Sequence, residues 1–326
     1  MMKNVRNPAG FGLFIPMLII AIALAYFVPG PGMIQQPISL TGISGYGVSV
    51  LFFFYGLKLN TQKLKQGLSN WRMHILIHAT SFLVFPLLAL AIQPAFVTEE
   101  ARRLWLGIFF LSTLPSTVSS SVVMVSIAGG NIPAAIFNAS ISALIGVIVT
   151  PLWIGIFLHF GMSSFDAADI FMKLMLQVLL PVVIGLLLNR RFGRITEKYK
   201  RSLSIFDQII LLLIVYTSFC KSFTGNLFET LSFPEIMLLA AGMLGLFLLI
   251  MLFTRLVSKL LNFSRGDTIT VMFCGSKKSL VHGTVMSGIL FAGSPLAGFI
   301  LLPLMLYHAL QILAASLLAN KIASLV

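Results

Sequence analysis

Apolar residues run through this chain in long blocks, divided by short polar or charged stretches. Most blocks approach or exceed the roughly 20 residues that an α-helix needs to cross a bilayer. Read with the glycines and prolines that punctuate them, the blocks predict ten transmembrane helices. They lie over 10–28, 42–59, 73–94, 101–128, 132–158, 167–188, 204–223, 234–260, 266–292 and 296–319. The fourth and ninth are interrupted near their middles, by Leu-Pro-Ser-Thr at 114–117 and by Cys-Gly-Ser at 274–276. The basic start of the first resembles a signal peptide. Its apolar core is too long for one and no small-residue cleavage site follows, which predicts a retained helix. Gly129-Gly130-Asn131 predicts a tight turn into the fifth block, with Pro133 at an early helical position.

The blocks form two sets of five, 1–160 and 161–326. Five is odd, so the sets enter the membrane in opposite directions, and the interrupted helix is the fourth of each. An inverted repeat with broken helices at matching positions points to a secondary transporter with its site near the midplane. The basic stretch Asn189–Ser204 (NRRFGRITEKYKRSLS) reads as a loop joining the two halves.

Composition narrows the class. Of 326 residues, 58% are hydrophobic and 10% charged, where a soluble domain carries about 25% charged residues. The expectation is an all-α integral membrane protein. A net charge of +13 could suggest nucleic acid, but the basic residues lie in short clusters between apolar blocks. Such clusters orient helices by the positive-inside rule. With the N-terminus cytoplasmic, Lys58, Lys63, Lys65, Arg190, Arg191, Arg194, Arg255 and Lys259 fall inside, and Glu99, Glu100, Asp166, Asp169, Glu229 and Glu235 outside. Both termini are therefore expected inside, in a bacterial inner membrane. Cys220 and Cys274 make no disulfide framework. There is no GxxxxGK[ST] motif for an ATP-driven pump. Neither a nucleophile triad nor paired carboxylates nor zinc spacing occurs, so neither an enzyme nor a cofactor is expected.

Candidate chemistry gathers at the two breaks. Pro115 lacks an amide donor and stops helical bonding, and Ser116, Thr117, Ser119, Ser120 and Ser121 bring hydroxyls to cap a new helix or face a ligand. Around Gly275 stand Ser276, Lys277, Lys278 and Ser279, with His282 one turn further on. Two lysines near mid-membrane are functional candidates by default, because a charge there costs about 2.5 kcal/mol or more. They either pair with carbonyls freed at the break, present a positive field to a ligand, or stand in for a bound cation. All nine acids lie in loops or near helix ends, including Asp207 and Asp267. That argues against a cation antiporter built on an intramembrane carboxylate and favours an anionic substrate, aided by half-helix N-termini. His74 and His78 share a helix face without other ligand types and are read as packing residues.

At these breaks the chain resembles the bile acid:sodium symporter family, also called solute carrier family ten. The resemblance rests on LPSTVSSSVVMVSIAGGN, on IPAAIFNASISALIGVIVTPL with its Asn138, on GLKLNTQKL, on FCGSKKSL and on LPLMLYHALQI. The pattern Phe273, Cys274, Lys278, Ser279, Leu280 is similar to the branch of the family's seventh member and its bacterial relatives. The resemblance implies ten helices in two inverted repeats. A panel of helices 1, 2, 6 and 7 would move against a core of helices 3, 4, 5, 8, 9 and 10, carrying small organic anions by alternating access. Sodium-coupled relatives carry a Glu and a Gln about the ninth-helix glycine, positions that fall here on Phe273 and Lys277. Their serine–asparagine pair falls on Ser120 and Ser121, and two hydroxyl positions fall on Ala135 and Ala139. The expectation is a transporter in which Lys277 and Lys278 replace the carried Na+. The other readings are a sodium-coupled symporter whose ion is held by hydroxyls and carbonyls, and a regulatory membrane protein that has lost transport.

Overall fold

In lipid the backbone must satisfy its own hydrogen bonds, so apolar blocks become helices. The computed structural model describes residues 11–34, 39–58, 70–159, 172, 175–229, 231–291 and 294–324, and among these there is no strand. The first half begins with α1 (Phe11–Phe27), the short α2 (Gly30–Met33) and α3 (Leu40–Lys58). It continues with α4 (Trp71–Ala79), a π-helical turn (Thr80–Val84) and α5 (Phe85–Ala91), then α6 (Glu99–Thr113), α7 (Ser119–Ile127) and α8 (Ile132–His159). The second half holds a π turn at Met175–Leu179, α9 (Leu180–Lys198), α10 (Lys200–Thr224) and α11 (Phe233–Leu260). It ends with α12 (Arg265–Gly275), α13 (Leu280–Leu290) and α14 (Leu296–Ala323).

Local chemistry sets the ends. Asn70 caps α4, Thr98 caps α6 and Ser264 caps α12, each accepting from a backbone N–H three residues on. Ser232 and Glu235 form a capping box at the start of α11. Gly129 takes φ +74 in the turn before α8, and Pro133 stands in that helix's first turn.

The basic stretch Asn189–Ser204 is not a loop. α9 runs through it to Lys198, α10 begins at Lys200, and Tyr199 alone separates them. It also joins the sixth and seventh apolar blocks, not the two halves. Arg, Lys and Glu are good helix formers, and the exposed Phe192 and Ile195 give this stretch an apolar face beside its charges. A helix of this composition suits a headgroup region, where long basic side chains reach water.

Seven helical stretches among the described residues are long and apolar enough to cross a membrane. Their outer faces carry Leu187, Leu238 and Leu317, each 73–75% exposed, an arrangement that suits lipid and not water. Inside, α1, α3, α9 and α10 pack on one another, and α10 also meets α13 and α14. The rest associate around α12 and α14: α4, α7 and α11 on α12, and α6, α11 and α13 on α14. α3 packs extensively on α9. At Gly56 and Gly185 each helix lies against the other's backbone, where a Cβ would strike a carbonyl, the small-residue packing that lipid favours.

Candidate functional site

The two helix breaks meet. α6 ends at Thr113 and α7 starts at Ser119; α12 ends at Gly275 and α13 starts at Leu280. Ser279 N–H donates to Pro115 O at 2.9 Å, a backbone bond directly between the breaks. The Pro115 ring packs where a Cβ on Gly146 of α8 would fall, 2.6 Å from its Cγ. Ser116 N–H, freed from the α6 ladder, donates to Ser142 Oγ at 2.9 Å. On the other side of the crossing, Gln311 of α14 binds both backbone polar groups of Lys278. Its Oε1 accepts from Lys278 N at 2.9 Å and its Nε2 donates to Lys278 O at 2.8 Å. Tyr307 O–H donates to Ser276 O at 2.6 Å. Unwound backbone at membrane depth survives only where such partners replace the helical ones.

Lys278 lies at the centre of this arrangement, fully buried. Its Nζ donates to Ser81 O (2.8 Å), Ser112 O (2.6 Å) and Leu114 O (2.8 Å) and stands 4.0 Å over the Phe85 ring. Each acceptor was freed by a break in its own helix. Ser112 O and Leu114 O belong to the last turn of α6 and its exit, the negative end of that helix dipole. Ser81 O is freed by Pro86. Phe85 N–H bonds Thr80 O, five residues back, and in that register the next donor would serve Ser81 O, but proline has none. Phe82 O, the partner Pro86 would have had in an α-helix, accepts instead from Trp153 Nε1 at 2.9 Å. Three carbonyls need three N–H donors, which only the ammonium form of lysine supplies.

Lys277, its neighbour, is equally buried but differently placed. Among the described residues its Nζ has one hydrogen-bond partner, Ser120 O at 2.9 Å, with the Phe273 ring 6.0 Å away. Ser121 Oγ donates to Phe273 O at 3.4 Å and lies 3.5 Å from Ser116 Oγ, and Thr117 Oγ1 meets Ser120 Oγ at 2.5 Å. Ser276 Oγ turns back to Met272 O at 2.6 Å. Asn138 is buried, its Nδ2 on Ala134 O and its Oδ1 3.0 Å from His74 Nδ1. The side chain of Ser119 lies outside the described residues.

Beside the crossing is a cavity of about 300 Å³. Thr117 and Val118, just before α7, and Ser279, Leu280, Val281 and His282, the N-cap and first turn of α13, line it together with Phe14, Leu51 and Tyr55. Ser140 and His308 complete the polar side. Lys58 and Asp207, an ion pair at 3.1 Å with side chains 33% and 27% exposed, stand at the rim. His282 is fixed by Ser279, whose Oγ lies 3.0 Å from its Nδ1 and accepts its backbone N–H. The edges of Phe52 and Tyr55 meet its ring. At the far end of α10, Ser222 Oγ donates to Pro295 O and accepts from Gly298 N–H at 3.1 Å.

The chain is similar to known proteins over nearly its whole length. Residues 13–324 match the SBF-like CPA transporter family. The chain belongs to that family. Sodium/bile acid cotransporter 7 of Rattus norvegicus is 33% identical to it over 95% of this chain and 92% of that protein. The YfeH protein of Escherichia coli is 31% identical over 93% and 90% of the two chains. An uncharacterised protein of Pseudomonas aeruginosa is 38% identical over 94% and 91%. As a member of this transporter family the protein is an integral membrane protein that handles a small molecule.

Of the residues singled out in this SBF-like chain, Thr117, Ser279 and His282 reach the cavity. Ser116, Ser120, Ser121, Asn138, Ser276, Lys277 and Lys278 are buried behind its wall. Pro115 lies within the first break, while Gly275 is the last helical residue before the second. Residues that the sequence reading passed over include Gln311, Tyr307, and Ser81 with Pro86. Gln311 carried a signal, being an amide near the middle of an apolar helix. The Ser81 carbonyl carried none, because its role arises from a missing donor five residues on.

Proposed function

We propose that the protein moves a small organic anion by alternating access, with the Lys278 ammonium as a permanent internal substitute for a transported cation. The observation that carries this reading is the cage of three carbonyl oxygens and one ring around Lys278 Nζ. Oxygen ligands from unwound helices are what a hard cation would seek in such a site. Here the cation is tethered to the chain, so each cycle leaves it in place.

Lys277 would have a separate part. Its ammonium stands behind Ser120, which contacts the cavity-lining Thr117. With both half-helix N-termini at the same wall, it gives the cavity a positive field suited to one acid group. α1, α3, α9 and α10 would form the panel and the remaining long helices the core of an inverted ten-helix repeat. In this reading the rim at Lys58 and Asp207 would face the cytoplasm, and the Ser222–Pro295 contact would help close the opposite end. The arrangement is then an inward-facing one, in a membrane that leaves both termini inside.

Sodium is the discriminating reagent. Purified protein in detergent is expected to unfold at the same temperature in sodium and in choline buffer, and proteoliposome uptake of an organic anion is expected to be equal in both. A ligand that binds only the folded state would raise stability by about 2.7 kcal/mol at a hundred times its Kd. A rise of several degrees specific to sodium would favour a sodium-coupled symporter with a rebuilt site.

A further inference from the structure

We propose that Gln311 is a positioning residue that holds His308 in its Nε2–H tautomer, so that the cavity offers a fixed neutral donor to one oxygen of the substrate's acid group. This rests on the organic-anion reading above and adds to it the residue that meets the acid and the device that orients it.

The argument is one of donor and acceptor counting. A glutamine amide has one acceptor oxygen and one nitrogen with two hydrogens. Amide orientation is often ambiguous, but here the peptide of Lys278 decides it. Lys278 N–H needs an acceptor and finds Oε1 at 2.9 Å; Lys278 O needs a donor and finds Nε2 at 2.8 Å. Reversing the amide would set donor against donor and acceptor against acceptor. One hydrogen of Nε2 is thereby spent, and the other faces His308 Nδ1 at 3.0 Å. With Nδ1 accepting that hydrogen, the ring's single proton stands on Nε2; the competing arrangement, an Nδ1–H sharing Lys278 O with Gln311 Nε2, is the one the labelling below distinguishes. An imidazolium would put an N–H of His308 against an N–H of Gln311.

Gln311 is fully buried and His308 nearly so, yet His308 lines the cavity. Its tautomer is thus set from behind, by the same peptide that carries the Lys278 ammonium. The charged and titratable groups near this ring are Lys277 and Lys278 at the break, His282 on α13, Tyr307 on its own helix, and Lys58 and Asp207 across the cavity. Lys278 Nζ is taken up by its three carbonyls and Tyr307 by Ser276 O. On the facing side Phe14 and Leu51 provide an apolar surface. The matching ligand is an apolar body bearing one carboxylate or sulfonate, whose oxygen accepts from His308 Nε2–H with Ser279 and Thr117 hydroxyls beside it.

The chain has only five histidines, which makes solid-state NMR of ¹⁵N-histidine-labelled protein in lipid practical. The His308 signals are assigned by their loss in His308→Gln. At pH 7 the expected spectrum has a protonated Nε2 and a bare Nδ1. In Gln311→Glu, which turns the facing donor into an acceptor, the proton is expected to move to Nδ1. A wild-type ring protonated at Nδ1, or a tautomer unchanged in Gln311→Glu, overturns the positioning role. Benzenesulfonate is expected to shift the wild-type Nε2 resonance, and no shift overturns the ligand contact. In proteoliposomes, His308→Phe is expected to lose benzenesulfonate uptake at least tenfold while His308→Gln, which keeps a donor, loses less. Full uptake in His308→Phe would sink this inference and leave the transport reading intact. Absence of uptake by wild type would count against the transport reading, while the tautomer result would still decide the role of Gln311.

Discussion

Lys278→Met is expected to cost the folded protein about 3–5 kcal/mol, the usual loss when one partner of a buried charged cluster is removed. Three carbonyl oxygens, of Ser81, Ser112 and Leu114, would be left without a donor, and each orphaned buried acceptor costs about 1–3 kcal/mol. The contact over Phe85 would be lost as well, worth about 2 kcal/mol when desolvated. The thioether returns some of this by relieving a buried charge, which is why the sum is not larger. Lys277→Met is expected to behave in the opposite way. Its ammonium has one partner among the described residues, Ser120 O, so replacing it with an apolar chain of similar volume is expected to be neutral or stabilising. Uptake should fail in both variants. Thermal unfolding in detergent separates them: a fall on the order of 10 °C for Lys278→Met, against none for Lys277→Met. Equal destabilisation would refute the division of labour between the two lysines.

Asp267→Ala is expected to be the next most damaging change, at about 2 kcal/mol by loss of two hydrogen bonds to a charged acceptor. One carboxylate there organises three helix starts. Oδ2 accepts from Asn70 Nδ2 at 3.1 Å and Oδ1 from Asn131 Nδ2 at 2.9 Å, while Asp267 itself lies in the first turn of α12. Asn70 caps α4, and Asn131 Oδ1 accepts Ala134 N–H at the start of α8. Three positive dipole ends therefore converge on one negative charge. Asp267→Asn keeps an acceptor for one amide and should cost about half as much. The check is again thermal unfolding, and a variant as stable as wild type would show that the asparagines hold their helices unaided.

The sixth helix runs past its expected end at 188 to Lys198, and residues 167–171 of that block lie outside the described residues. The all-helical, apolar character, both breaks and the Gly-Gly-Asn turn were legible in the sequence because proline, glycine and apolar block length act locally. So was the pairing of lysines with freed carbonyls, as one reading among several. What escaped was non-local. Whether a lysine meets one carbonyl or three depends on how α4, α6 and α12 cross, and nothing near Lys277 or Lys278 distinguishes them in the chain. The π turn at Thr80–Val84 shows only a Pro86 that could equally start a plain helix. Asn189–Ser204 was misread because charge density signals a loop in water, whereas at a membrane surface a basic helix is stable. The orientation of His308 is readable only with Gln311 and Lys278 placed around it.

The claim that Lys278 is a tethered cation is tested most directly by cutting the tether. Lys278→Gly leaves the carbonyl cage with an empty arm of space where the side chain ran. Ethylammonium, titrated into the purified variant and into wild type, would be followed by thermal unfolding. The account predicts that it restores several degrees to Lys278→Gly, saturably, and does nothing for wild type, whose cage is already filled. If neither ethylammonium nor sodium or potassium stabilises the variant more than wild type, the three carbonyls are not a cation site and Lys278 is a structural strut alone.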